Sequence, residues 1–547
     1  MVEEQVAPRI YLPPCLHTGM RTSPSDREGW LHSVVSYLHE QNPNAFAGPF
    51  REDSRAALLI LRWASNAGLD LDYSELAEFV SRFNSSQHHT LSCSTLRQVF
   101  GAASCNRVTC ARRLPWYYMR GRKISYKAIA ADILTDFHVA TIGRIPFIYQ
   151  DGVYTSGLEV LDKIIRERLL SESNSGTVNS VMDEIRSITR VDPNDFDSDP
   201  DIINLENGLY HISTGILTEH TPSYLSRIQH PITFDPAATC PLTIKFLSDI
   251  ITQPADQTAF LEFNGYIFYR GKPFPHVLAL VGSGENGKSK ALEWAERIIG
   301  APNVCHVDLQ SFSTDKFATS SLDGKCVDIM YDLPQTPLTE SGPFKTITGD
   351  ATISIEPKYC PRYDIENQIK LLIAANILPP APDATPAFYR RWRIIICDRQ
   401  FKPEEIDPFI LEKIDTAQER SGYFNLCMRH LRNYLERGKL TGQLSFDETR
   451  TLYDSLSNPY QSFIDECVEE AEETDSHGFV TEKDLYEAFE AFCKSNRLMP
   501  TGKIKFNRYI RNESALKITS FRPKVGGKQP KAWKGITLRQ ESPDYTA

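Results

Sequence analysis

One stretch limits what this chain can fold into more than any other: LALVGSGENGKSKALEWAERIIG, residues 278–300. An apolar run, Val277 to Val281, stops at a glycine, and beyond GSGENGKS the apolar residues Ala291, Leu292, Trp294, Ala295, Ile298 and Ile299 recur at helical spacing. The segment therefore predicts strand, loop, helix. Within it Gly282, Gly287, Lys288 and Ser289 satisfy G-x-x-x-x-G-K-[ST]. Chemistry accounts for these residue types. Glycines let backbone N–H groups turn inward around phosphates, the helix start adds partial positive charge, Lys288 reaches the β- and γ-phosphates, and the Ser289 hydroxyl binds Mg²⁺. All of Gly282, Ser283, Gly284, Glu285, Asn286, Gly287, Lys288 and Ser289 are thus nucleotide-binding candidates, against the plainer alternative of a glycine-rich turn with an exposed lysine.

Such a loop needs an acid for the metal at the end of an apolar strand, and KCVDIMYDLP supplies one. Alternation from Val327 puts Asp328, Met330 and Asp332 on one face, with Asp332 at the strand end. Asp328 would lie about 13 Å back along an extended strand, too far to share an ion, so Mg²⁺ is assigned to Asp332. Another apolar run, IKLLIAANILP, ends in Asn376, whose amide can hold an attacking water and sense a γ-phosphate; asparagine at a strand end is also a common turn residue. Shortly after, FYRRWRIIIC places Arg390 and Arg391 before a further apolar strand. An arginine supplied to a neighbour's γ-phosphate stabilises transition-state charge, whereas the plainer reading is two surface arginines at a strand start.

At 547 residues the chain is too long for one core, and its length suggests roughly three or four domains. Its 41% apolar and 24% charged residues are ordinary for soluble globular protein. No apolar run approaches the roughly 18 residues of a membrane span, and MVEEQVAPRIYLPPC lacks a signal-peptide core, so an intracellular, cytoplasmic protein without membrane partners is expected. The net charge of −10 argues against a chain coated in positive charge but averages unlike regions. Residues 465–490 are acidic. Beyond them Lys503, Lys505, Arg508, Arg511, Lys517, Arg522, Lys524, Lys528, Lys531, Lys534 and Arg539 face one acid, Glu513. That balance suits phosphate-backbone binding, the alternative being a solvated lysine-rich tail.

The pattern divides the chain into a helical unit (1–120), a mixed unit (121–239) with a hairpin-like IINLENGLYHISTGILTEH, the nucleotide unit with flanking helices (240–445), and a C-terminal unit (446–547). In the last, YQSFIDECVEEA, TEKDLYEAFEAFCKSNRL and GKIKFNRYIRNES predict three helices, and ALKITSF and AWKGITL two strands. Three helices and a two-stranded wing describe a winged helix, a helix-turn-helix relative that reads nucleic acid. Most of the twelve cysteines are scattered through apolar segments as buried thiols. Cys93, Cys105 and Cys110 cluster, with Cys15 far upstream.

The order GSGENGKS, VDIMYDLP, FKTITGDATISIEPKY, LLIAANILPPAPDATPAFYRRWRIII resembles helicase superfamily 3, in the primase-helicase branch of poxviruses, giant viruses, satellite phages and plasmids. The likeness covers about Asp201 to Leu538. It implies a multidomain α/β protein with a central AAA+ type ATPase, in which Lys288 and Ser289 form the first motif, Asp332 is the metal acid, Asn376 the sensor, and Arg390 or Arg391 the finger acting on the next subunit. It also implies Lys345 and Lys358 near a hairpin that grips single-stranded DNA. Many members carry two adjacent acids at the metal strand; here Tyr331 and Leu333 flank Asp332, so Asp332 serves both roles or another residue such as Glu285 activates water.

No acid-x-acid strand with a downstream histidine marks a primase palm before residue 200. Cys15, Cys93, Cys105 and Cys110 faintly resemble the iron–sulfur ligands of the primase large subunit, and four thiolates suit Zn²⁺ equally; His17, His88 and His89 compete as ligands, and cysteines merely packed in a helical core are the alternative. The expectation is an ATP- and Mg²⁺-dependent DNA helicase for replication of a virus or mobile element. It would be a hexameric ring on single-stranded and forked DNA with a separate primase as partner, and 3′ to 5′ polarity is implied by resemblance alone. The rivals are a DNA-stimulated remodelling or defence ATPase and a nucleotide-assembled, DNA-binding replication initiator.

Overall fold

The computed structural model describes residues 119–120, 123–315, 317–338, 340–349, 351–356, 362–381, 385–471, 479–498, 500–524 and 529–539. They fall into two compact units, one of residues up to 150 with 154–193 and one of 151–153 with the residues from 194 onward. The division expected near Thr239 therefore lies inside the second unit, which also holds the hairpin predicted from IINLENGLYHISTGILTEH.

In the first unit helix α1 (Tyr126–Asp136) precedes a three-stranded sheet, β1 (Val139–Ile142), β2 (Ile145–Gln150) and β3 (Val153–Ser156), and helices α2 (Leu158–Leu169) and α3 (Ser175–Ile188) follow. Val178, Val181, Met182 and Ile185 recur every three or four residues, so one face of α3 is buried with Ile129, Ile133, Leu161 and Ile165. Asn174 caps α3 by accepting from the Gly176 and Thr177 N–H groups at 3.0 and 3.1 Å, a contribution of about 1 kcal/mol. Arg168 ties α2 to α1 through Asp132 at 3.1 Å and Asp136 at 2.6 Å.

The second unit opens with the antiparallel strands β4 (Ile202–Leu205), β5 (Gly208–His211) and β6 (Leu217–Thr218). Gly208 is required there, since at φ +153° a Cβ would stand 2.3 Å from the Thr218 carbonyl oxygen. Helices α4 (Pro241–Ile250) and α5 (Pro254–Phe268) lead to strand β7 (Val277–Val281), helix α6 (Lys288–Ile299) and strands β8 (Val304–Cys305) and β9 (Val327–Met330). Then come α7 (Gly342–Gly349), the antiparallel pair β10 (Thr352–Ile355) and β11 (Tyr363–Glu366), β12 (Lys370–Ala375), the single turn α8 (Pro386–Tyr389), β13 (Trp392–Ile396) and the long α9 (Ala417–Arg437).

Strands β8, β9, β12, β7 and β13 make one parallel sheet in that order. Both faces are covered, which is why each strand is a nearly unbroken apolar run. Leu278, Leu280, Leu372 and Ala374 enter the core shared with α5, α6 and α9, while Val277, Ala279, Val281, Leu371 and Ile373 enter the core on the other face. Parallel pairing has a functional consequence. The segments after β7, β9 and β12 emerge at one edge of the sheet, the edge at which open α/β sheets bind ligands, and the residues before β13 stand at the opposite edge.

Helix α10 (Phe446–Ser457) packs on the sheet, with Tyr453 against Phe388, Tyr389 and Trp392. Beyond it run α11 (Pro459–Cys467), β14 (Val468–Glu470), β15 (Phe479–Thr481), α12 (Glu482–Ser495), α13 (Lys503–Asn512), β16 (Thr519–Phe521), β17 (Ala532–Lys534) and β18 (Ile536–Leu538). Two details differ from the sequence-based expectation. The helix expected through DECVEEA stops at Cys467, because Val468 is buried and Val468–Glu470 pair antiparallel with β18. The single strand expected from AWKGITL is two, broken at Gly535, whose φ of +97° brings the chain so close to Lys517 that a Cβ would sit 2.4 Å from its carbonyl oxygen.

Candidate active site

Strand β7 delivers the chain into the loop 282–289, and helix α6 starts at Lys288. The turn is possible because Gly284 and Gly287 adopt φ of +105° and +78°, with Glu285 at +52°. Gly282 answers to space: a Cβ there would lie 2.2 Å from Asn286 Nδ2 and 2.4 Å from the Cys397 carbonyl oxygen. Asn286 Nδ2 donates to that carbonyl at 2.8 Å and the Phe401 N–H donates to the Glu285 carbonyl at 3.0 Å. The loop is therefore braced from outside by the segment after β13.

Lys288 is buried, and its ammonium donates to the Gly282 carbonyl at 2.6 Å, to Asn286 Oδ1 at 2.8 Å and to Asn376 Oδ1 at 3.3 Å. Asn376 follows the last residue of β12, the strand between β7 and β9, so sheet order brings the loop lysine and the strand-end amide together. Burial lowers the Lys288 pKa, while the carboxylate of Asp332 opposes that shift. Strand β9 ends at Met330, two residues earlier than the alternation suggested; Asp332 is exposed beyond it, and the Leu333 N–H rejoins β12 at the Ala374 carbonyl, 2.9 Å.

Asp328 has a separate role. It is fully buried, Oδ1 accepts from the Val307 N–H at 2.9 Å, and burial pushes its pKa up to about 7. The folded chain thus keeps a proton that the unfolded chain loses near pH 4, so stability from this group is full below that pH and falls as pH rises toward 7, by about 1.4 kcal/mol per unit. The melting-temperature difference between Asp328→Asn and the parent should become more positive from pH 5 to pH 8, as read by circular dichroism. A difference independent of pH would contradict this.

The donor set available to Mg²⁺ is the Ser289 hydroxyl on the first turn of α6 and the Asp332 carboxylate, both exposed at the same sheet edge. Oxygen donors of this kind suit an ion that takes one or two protein ligands and completes its shell with phosphate and water. Among the described residues no group of three or more His, Cys, Asp or Glu could hold a metal by itself. Asp332→Asn is expected to lower ATP turnover by about a hundredfold while nucleotide affinity stays within a few-fold. Phosphate release measured beside equilibrium binding would expose the opposite pattern.

The arginine pair stands elsewhere. The Val277 N–H donates to the Arg391 carbonyl at 2.8 Å, which fixes Arg391 at the start of β7, about 17 Å along the five-residue strand from the loop. The two arginines also differ. Arg391 is buried, bonded to the Ala387 carbonyl and packed on Gly349 at the end of α7, whereas Arg390 is exposed. At this same edge Phe344 of α7 stacks on Trp392, 5.3 Å between centroids, so half-exposed Lys345 is carried near the start of β13. Strands β10 and β11 pair antiparallel, and Lys358 lies outside the described residues.

Of the basic C-terminal residues, Lys503, Lys505, Arg508 and Arg511 lie on α13, and Lys524 and Lys531 flank β16 and β17; all are exposed. Arg511 is partly engaged, 5.5 Å over the Trp533 ring. Lys528 and the group Cys15, Cys93, Cys105 and Cys110, with His17, His88 and His89, lie outside the described residues. The seven described cysteines are free thiols, six of them buried. Sequence reasoning missed the brace behind the loop. Arg497 donates to Asp398 Oδ2 at 2.7 Å and to the Ile396 carbonyl at 3.1 Å, and Cys397 between them holds Asn286. No described helix is long and apolar enough to cross a membrane.

Residues 116–252 match the family described as D5 N terminal like, and residues 280–391 match a family of unknown function, DUF5906. A protein of Acanthamoeba polyphaga mimivirus named as a putative helicase is 22% identical over 383 residues, 64% of this chain and 39% of its own length. One from Frog virus 3 (isolate Goorha), so named too, is 22% identical over 286 residues, 48% of this chain and 28% of its own length. The chain thus spans well under half of these curated relatives. Among solved structures, the apo C-terminal region of NrS-1 aligns at 13% identity with a TM-score of 0.42, covering 74% of this chain and 98% of that one. The family match over 116–252 and the two viral relatives, joined to the order of motifs around loop 282–289, support a likeness to viral primase-helicases of the superfamily 3 type.

Proposed function

We propose that this chain is an ATP-driven DNA helicase for the replication of a virus or mobile element, working as a ring with ATP sites between subunits. The observation that carries the reading is the meeting of Lys288 and Asn376 at 3.3 Å on one sheet edge while Arg390 is exposed at the other. An arginine so placed cannot serve its own loop but can serve a neighbour's, and head-to-tail contacts of that kind close into rings. The strand order, with the loop strand between the Asn376 strand and the Arg390 strand, supports the AAA+ assignment. The order helix, two strands, two helices, two strands from α11 to β17 supports a winged helix that meets duplex through Arg508, Lys524 and Lys531.

Chemically, Lys288 and the loop N–H groups would hold the β- and γ-phosphates, Asn376 would orient water, and Ser289 with Asp332 would hold Mg²⁺, which supplies charge neutralisation on the phosphates. Steady-state ATP hydrolysis with and without single-stranded DNA, followed by displacement of a labelled strand from a fork, tests the reading. DNA-stimulated turnover with displacement supports a helicase. Turnover without displacement would move the protein to the remodelling class. A second reading, a nucleotide-assembled DNA-binding initiator, is favoured by one observation: the other acid of the metal strand, Asp328, is buried and bonded to Val307, which leaves Asp332 without an acidic helper on that strand. Nucleotide binding with no turnover would select it.

A further inference from the structure

Between the loop and the C-terminal helices lies a cavity of ≈ 640 Å³, lined by Ser283, Gln400 and residues 500–505. Its volume falls within the range of small-ligand sites. Its two walls are held together by the brace: Arg497, at the end of α12, grips Asp398 and Ile396, and the Cys397 carbonyl grips Asn286 of the loop. The brace thus holds the chain just past α12 beside the loop, and α13 packs on α12 through Phe506 against Phe489, 4.5 Å between ring centroids. The first turn of α13 presents Lys503 and Lys505 to the cavity, both exposed, with Lys503 Nζ 5.9 Å from the Tyr486 ring. A polyphosphate seated on the loop carries more negative charge than Lys288 and one Mg²⁺ together neutralise, and Arg390 and Arg391 are at the far edge of the sheet.

We propose that this cavity receives the phosphate end of the loop-bound nucleotide, with Lys503 and Lys505 as contacts from the same chain. The proposal rests on the nucleotide-site reading of loop 282–289. It moves two lysines from the DNA surface expected from sequence to the ATP site and leaves Arg508, Lys524 and Lys531 facing nucleic acid. It also makes α13 a shared element, and any change that nucleotide makes in DNA affinity is returned by DNA in nucleotide affinity by the same factor.

The test uses the full chain with Mg²⁺, titrated with a fluorescent ATP analogue in the absence of DNA and, separately, with labelled duplex DNA in the absence of nucleotide. The double variant Lys503→Ala, Lys505→Ala should weaken nucleotide binding by about fivefold or more, the loss of two charge-assisted contacts, with DNA affinity changed less. Arg508→Ala should show the reverse. A smaller nucleotide effect with a larger DNA effect in the double variant overturns the proposal and makes both lysines ligands of backbone phosphate. Lys288→Ala separates the two levels. If it binds nucleotide as the parent does, the loop reading fails and takes this inference with it; if it does not bind while the double variant does, only the inference fails.

Discussion

Replacing Lys288 by alanine should leave a folded chain that neither holds nor hydrolyses ATP. The ammonium is buried among the Gly282 carbonyl, Asn286 Oδ1 and Asn376 Oδ1, at 2.6, 2.8 and 3.3 Å. Its loss removes the one cation of the loop itself that a β- or γ-phosphate would meet. Nucleotide affinity should fall by about a hundredfold and turnover below detection. Stability should change little. Three hydrogen bonds are lost, but a desolvated charge is removed with them, and Asn286 keeps its bond to Cys397 at 2.8 Å, so the net effect is about 1 to 2 kcal/mol of either sign. Phosphate release and analogue binding, read beside a melting curve, separate a dead site from an unfolded chain. Turnover above a tenth of the parent would sink the assignment of the loop.

The parts of this arrangement that were legible in the sequence are those whose cause is local. A strand buried on both faces is an unbroken apolar run, so β7, β9, β12 and β13 announce themselves, and the chemistry hangs on the residues that end or precede each run. Strand ends are less legible: β9 stops at Met330 because the chain turns there, a fact that alternation through Asp332 does not contain. The brace was invisible, since Arg497 and Asp398 meet across 99 residues with no shared periodicity. Nor does sequence separate Arg390 from Arg391. They are neighbours in a run of charge, and only the single turn of α8 decides that one packs on Gly349 while the other is left to solvent.

That difference between the two arginines carries the strongest test of the ring. Arg390→Ala should lower ATP turnover by about a thousandfold with nucleotide affinity nearly unchanged, because a transition-state contact from outside the binding subunit is lost. Arg391→Ala should act through the fold, lowering the melting temperature because a buried side chain between α7 and α8 is removed. Mixing then reports geometry. Arg390→Ala subunits have an intact loop, and Lys288→Ala subunits have an intact arginine, so neither is active alone. If the arginine serves the next subunit, random equal mixing joins a good loop to a good finger at about one quarter of interfaces, and activity should return to about a quarter of the parent. If Arg390 acted within its own chain, every site in the mixture would lack one of the two groups and nothing would return. The five-residue length of β7 between Arg391 and the loop favours the first outcome, since no rotamer of a side chain at one end of a buried parallel strand reaches a phosphate at the other.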